Sequence, residues 1–180
     1  MHLSNLISDA TGGIHLLFSV VALIAGTYIL FGRKGTVLHR KIGYLYTIAM
    51  TLVLVTAFVI YNLYGSFGIF HWLALVSSVT LVGGMVPMFL KLKGALAYHI
   101  SFMYWSVVGL YGAFVAETLV RFPKVVVESG IPNGTFYLMT GIGVFVVMSI
   151  GNIVFFRNKD KWLKRYTAEF GRVEEPELNG

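Results

Sequence analysis

The stretch GIHLLFSVVALIAGTYILF, residues 13–31, holds nineteen residues and not one that is charged. A helix of that length rises about 28 Å, the thickness of a bilayer's hydrocarbon core. It is too long and too continuously apolar for a barrel strand, which would alternate. Four further stretches read the same way: residues 42–61 (its helix starting near Thr36), 69–90 with Pro87 near its end, 95–120 and 135–156. The whole composition agrees. Apolar residues make up 57% of the 180-residue chain and charged residues 12%, against roughly 25% charged in a soluble domain. Mean hydropathy is +0.77. The expected fold is all-α: an integral membrane bundle of five transmembrane helices over residues 1–158, its partner the lipid bilayer.

Basic residues set the expected orientation. The loop after the first stretch holds Arg33, Lys34, Arg40 and Lys41, and the loop after the third holds Lys91 and Lys93. The C-terminal segment adds Arg157, Lys159, Lys161, Lys164, Arg165 and Arg172. Only Arg121 and Lys124 fall on the other side. Cytoplasmic loops are the ones enriched in Lys and Arg, so the N-terminus is expected outside and the C-terminus inside, in a multi-pass protein of the cell's inner (plasma) membrane. The formal charge of +6 is thereby assigned to topology rather than to nucleic acid. No basic region opens the chain and no small-residue cleavage site follows the first apolar run, so no cleaved signal peptide is expected. The loop over residues 121–134 is expected to be irregular, from Pro123, Gly130 and Pro132. From Lys159 onward the chain turns amphipathic, through Trp162, Leu163, Tyr166 and Phe170, and ends acidic over residues 174–177. Residues 159–180 are read as a cytoplasmic segment lying on the inner membrane surface.

The chain has no cysteine. Disulfides, iron–sulfur clusters, thiolate metal sites and covalently attached c-type haem are therefore excluded. Between Asp9 and Glu117 there is no acidic residue, which disfavours a carboxylate relay for cations. Ionisable groups within spans point to function, and here they are histidines: His15, His39, His71 and His99, each near the start of a different helix. Consecutive spans run in opposite directions. His15 and His71 thus share an outer layer, and His39 and His99 an inner one, about 20 Å apart. Two imidazoles from opposite helices of a four-helix bundle satisfy a six-coordinate haem iron. The expectation is two haem b groups and electron transfer across the membrane, with a quinol or another redox partner. Arg40 and Lys41 would hold the inner propionates. Ser19, Ala22 and Gly26 thin the His15 face, and Gly43 and Ala57 that of His39, with Tyr46 on it and Trp72 and Trp105 nearby. A histidine at a helix end is often only half-wet at headgroup level. Gly141, Gly143 and Gly151 are read as helix-packing positions.

Glu117 lies eighteen residues after His99, five turns on, hence on the same face at the outer end. Its bland role is an ion pair with Arg121, four residues along. Its sharper role joins His15 and His71 in a zinc or iron site able to activate water. That metal-binding or metallohydrolase alternative explains only the outer layer. A cofactor-free interaction protein is the third reading.

The run Gly35-Thr-Val-Leu-His39-Arg40-Lys-Ile-Gly43-Tyr44-Leu-Tyr46, with Phe70-His71-Trp72 and Tyr98-His99 after it, resembles a family of small bacterial membrane proteins catalogued as domain of unknown function 2306. The resemblance spans about residues 13–156, and its most specific part is His39, Arg40, Gly43 and Tyr46. It implies a multi-span membrane protein and no particular activity. The pairing of histidines on alternate helices is similar to that in the di-haem transmembrane b-type cytochromes, as architecture only.

Overall fold

The computed structural model describes residues 10–60, 67–120 and 134–174. They form five helices: α1 (Ala10–Phe31), α2 (Val37–Val59), α3 (Ile69–Phe89), α4 (Ala95–Val120) and α5 (Gly134–Glu174). All five are long and apolar enough to cross a membrane, and no strand occurs among the described residues. Of the loop expected over residues 121–134, residues 121–133 lie outside the described residues and Gly134 opens α5; the segment before Ala10 and the acidic end beyond Glu174 lie outside them too.

Local chemistry sets the helix ends. Phe31 closes α1, and the chain reverses through Gly35 at φ 76°. The Lys34 ammonium folds back and donates to the carbonyls of Ile29, Leu30 and Gly32. A cation on the last turn satisfies carbonyls that the helix itself cannot. Thr36 then caps α2, its Oγ1 accepting from the His39 N–H at 3.0 Å. Past Pro87, α3 closes with Lys91 in the left-handed region, at φ 51°, and the Leu92 N–H donates to the Pro87 carbonyl. Several hydroxyls in the spans are spent on their own helix: Thr47 on Gly43, Ser78 on Ala74 and Thr118 on Phe114. That removes the cost of bare polar groups in lipid.

Four helices close into a ring. α1 packs on α2, α2 on α3, α3 on α4, and α4 back on α1. α1 and α3 therefore stand on one diagonal, and α2 and α4 on the other. Small residues on α1 let the ring tighten: Ala22 and Ala25 are buried against Tyr46, Ala49, Met50 and Val107. A Cβ on Gly26 would stand 3.0 Å from the Tyr46 ring and 3.1 Å from Val107. Tyr46 has no exposed surface. Its hydroxyl crosses the α2–α4 diagonal to pair with Ser106 at 2.8 Å. Residues such as Leu17, Ile24, Val55, Val79 and Phe145 face outward. An apolar exterior of this kind suits lipid contact.

α5 lies outside the ring, and among the described helices it packs against α4 alone. Gly143 and Gly151 make the contact close, since a Cβ there would meet Val115 at 2.8 Å and Val108 at 2.7 Å. Gly141 has no such role: nothing lies within 4 Å of its Cβ position, and it sits in an outward groove with Tyr137 and Phe145. The helix runs unbroken through residue 159, where a separate surface segment was expected. Nothing between Asn152 and Phe170 is a glycine or proline, and strong helix formers carry it on. Trp162 is held to α4 by the Tyr104 ring, at 5.5 Å, with Phe155 of its own helix beside it at 6.5 Å.

Candidate functional site

The diagonals determine which histidines can meet. His39 rides on the first turn of α2, and His99 on the second turn of α4. Their ring centroids are 6.5 Å apart and their planes perpendicular, at 90°. A direct N–H···N bond of about 2.9 Å would bring the centroids to roughly 5.2 Å. Two nitrogens each about 2 Å from one metal atom would set them roughly 6.4 Å apart. At 6.5 Å the rings are too far apart for a direct bond, and the spacing is compatible with a metal atom between them.

The orientation of His99 is fixed. Its Nδ1 donates to the Gly84 carbonyl of α3 at 2.9 Å, leaving the lone pair on Nε2. A backbone carbonyl on one ring nitrogen is the usual second partner of a metal-bound histidine. Gly84 can sit this close because a side chain there would run into Met103, 2.8 Å from Sδ and 3.2 Å from the backbone nitrogen. On the other ring, His39 Nδ1 is buried with no hydrogen-bond partner among the described residues. Leaving a buried polar nitrogen so costs about 1–3 kcal/mol, which a bound partner would recover. One turn on, Gly43 has nothing within 4 Å of its Cβ position, so the His39 face is open there.

The surroundings of this pair differ from expectation at the two tryptophans. Arg40 and Lys41 are exposed on α2. The half-buried cation at this end is Lys34, whose donors are spent on α1 carbonyls, and burial pushes its pKa down from 10.5. Trp72 is 60% exposed and faces away from the bundle. Trp105 packs between α4 and α5, 5.5 Å from Phe155. Tyr46 does occupy the His39 face, as read.

The other end is organised around α1. His15 Nε2 stands 3.2 Å from Glu117 Oε1, and its Nδ1 2.8 Å from Thr56 Oγ1. One imidazole thus links α1, α2 and α4, and Glu117 meets His15 as its five-turn spacing from His99 suggested. The alternative partner, Arg121, lies outside the described residues. His71 is buried at the start of α3, with 3% exposed, and stacks on Phe67 at 4.8 Å. Its Nδ1 accepts from the Gly68 N–H at 3.0 Å, which places the ring proton on Nε2. So both nitrogens of His15 are in hydrogen bonds, and the His71 Nδ1 lone pair is used by its own helix. No group of three His, Asp or Glu side chains converges to hold an ion among the described residues. Thr56 is the partner that sequence reading missed. A lone threonine in an apolar run carries no signal until the ring closes α1 on α2.

Comparison with protein-family models, curated proteins and solved structures returned no match.

Proposed function

We propose that His39 and His99 hold a b-type haem between α2 and α4, and that the protein is a membrane electron carrier. The observation that carries this reading is the His39–His99 pair, brought together across a diagonal with 6.5 Å between ring centroids, beyond a direct bond. The donor set fits: two neutral imidazoles suit a six-coordinate haem iron. Bound there, haem supplies a one-electron couple. The chain's own contribution is orientation and access. The Gly84 carbonyl fixes the tautomer of His99, the Thr36 cap fixes the turn that carries His39, and Gly43 leaves its face open. Arg40 and Lys41, on the exposed side of α2, are the proposed partners for propionates. The His15–His71 layer is not part of this proposal. The basic loops orient the site toward the cytoplasm in a plasma-membrane protein, and the likeness of the His39 element to domain of unknown function 2306 is carried as part of the same reading.

The test is haem content. Protein expressed with ample haem and purified in mild detergent is expected to be red. His39→Ala and His99→Ala are each expected to lose most of the pigment, while Tyr98→Phe keeps it. Colourless wild-type protein overturns the proposal.

A further inference from the structure

The end of the bundle where α1 begins carries chemistry that the His39–His99 pair does not use. Counting hydrogens at His15 leaves one unaccounted for. Thr56 has a single hydroxyl hydrogen, and its oxygen lies 2.7 Å from the Leu52 carbonyl and 3.0 Å from that of Val53. That hydrogen is committed to its own helix. Toward His15 the oxygen can therefore only accept, so the proton of a neutral imidazole sits on Nδ1. Nε2 is then left with a lone pair, pointed at Glu117 Oε1 from 3.2 Å. A carboxylate oxygen also offers only lone pairs. Two lone pairs, one of them on an anion, do not attract in a partly desolvated bundle. With the Thr56 hydrogen on the Leu52 carbonyl, the contact is a hydrogen bond only if it contains one further proton.

We infer that His15 and Glu117 together bind one exchangeable proton, making a proton site at the end of the bundle opposite the His39–His99 pair. The balance is simple. Neutral imidazole plus carboxylate plus one proton gives a dyad of zero net charge, as imidazolium with carboxylate or as imidazole with carboxylic acid. Release of that proton leaves one negative charge and an unmade bond between α1 and α4. Entry is through Glu117, whose side chain is 36% exposed while that of His15 is 12% exposed.

Few other titratable side chains of the described residues lie at this end of α1, α2 and α4. The other titratable side chain of α1 is Tyr28, at the far end of the helix. Those of α2 all fall between His39 and Tyr46, in its first three turns. On α4 the nearest is Tyr111, whose hydroxyl is paired with Thr27. His71 of α3 lies at this same end. A proton held here bonds α1 to α4 and, through Nδ1, α1 to α2. The inference stands whether or not the opposite end binds haem.

The experiment is nuclear magnetic resonance on reduced full-length protein in lipid bilayers near neutral pH, with 15N-histidine and 13C-glutamate labels. His15→Gln and Glu117→Gln assign the two signals. The expected wild-type result is either a His15 ring protonated on both nitrogens or a Glu117 carboxyl carbon in its acid form. In Glu117→Gln the amide can donate to Nε2, so the fold is kept and His15 is expected to carry a proton on Nδ1 alone. A wild-type His15 ring in its neutral form beside an ionised Glu117 overturns the inference. So does a His15 ring whose lone proton sits on Nε2.

Discussion

Tyr46 brings a hydroxyl into the dry centre of the ring, where its partner is Ser106. Its place on the His39 face was legible from the seven-residue, two-turn spacing. The partner was not, because Ser106 is set by which helices share a diagonal. Tyr46→Phe leaves the buried Ser106 hydroxyl without that partner. It is expected to cost about 0.6–1 kcal/mol, read as a lower unfolding temperature in detergent. Lys34 makes the same point about charge. In sequence it resembles Arg40 and Lys41, yet only Lys34 can curl back onto the α1 carbonyls, and so only it is half-buried. Burial makes the folded protein hold this proton less tightly than the unfolded chain does. The unfolded chain therefore binds more protons between the lowered value and 10.5, and stability rises with pH through that window. Wild type is expected to gain stability relative to Lys34→Met as the pH climbs toward 10.5, checked by unfolding both proteins across an alkaline series.

The end of α3 depends on one backbone position, and the seam between α4 and α5 on two. Lys91 adopts φ 51°, a conformation that costs a residue with a Cβ about 1 kcal/mol and glycine almost nothing. Lys91→Gly is expected to stabilise the protein by about that amount in thermal unfolding. Three glycines of α5 looked alike in sequence, and packing separates them. Gly151→Leu drives a side chain into Val108 and is expected to cost about 1–3 kcal/mol, whereas Gly141→Leu, on the open face, is expected to be near neutral. The apolar runs predicted four of the five helices to within a few residues, because a span must be long and uncharged. The length of α5 was not legible. Its basic stretch past residue 156 reads as the end of a span by hydropathy, while its propensity and the Trp162 stack on Tyr104 keep it helical.

The closed ring of α1 to α4 brings His39 to His99 at one end and His15 to Glu117 at the other. Hydropathy alone orders helices along the chain but says nothing of which pairs stand on a diagonal. That arrangement decides that His39 and His99 face each other, and that His15 meets Glu117 and Thr56 on the two helices flanking α1. It also separates the ends by most of a span: His99 and Glu117 are eighteen residues apart, about 27 Å along α4. The proposed haem iron would lie between two imidazoles whose planes cross at 90°. Electron paramagnetic resonance of the oxidised protein tests that placement directly. The account predicts a low-spin ferric signal of the strongly anisotropic kind that perpendicular imidazole planes produce, lost in both His39→Ala and His99→Ala. A high-spin signal, or no haem signal from haem-replete protein, would contradict it.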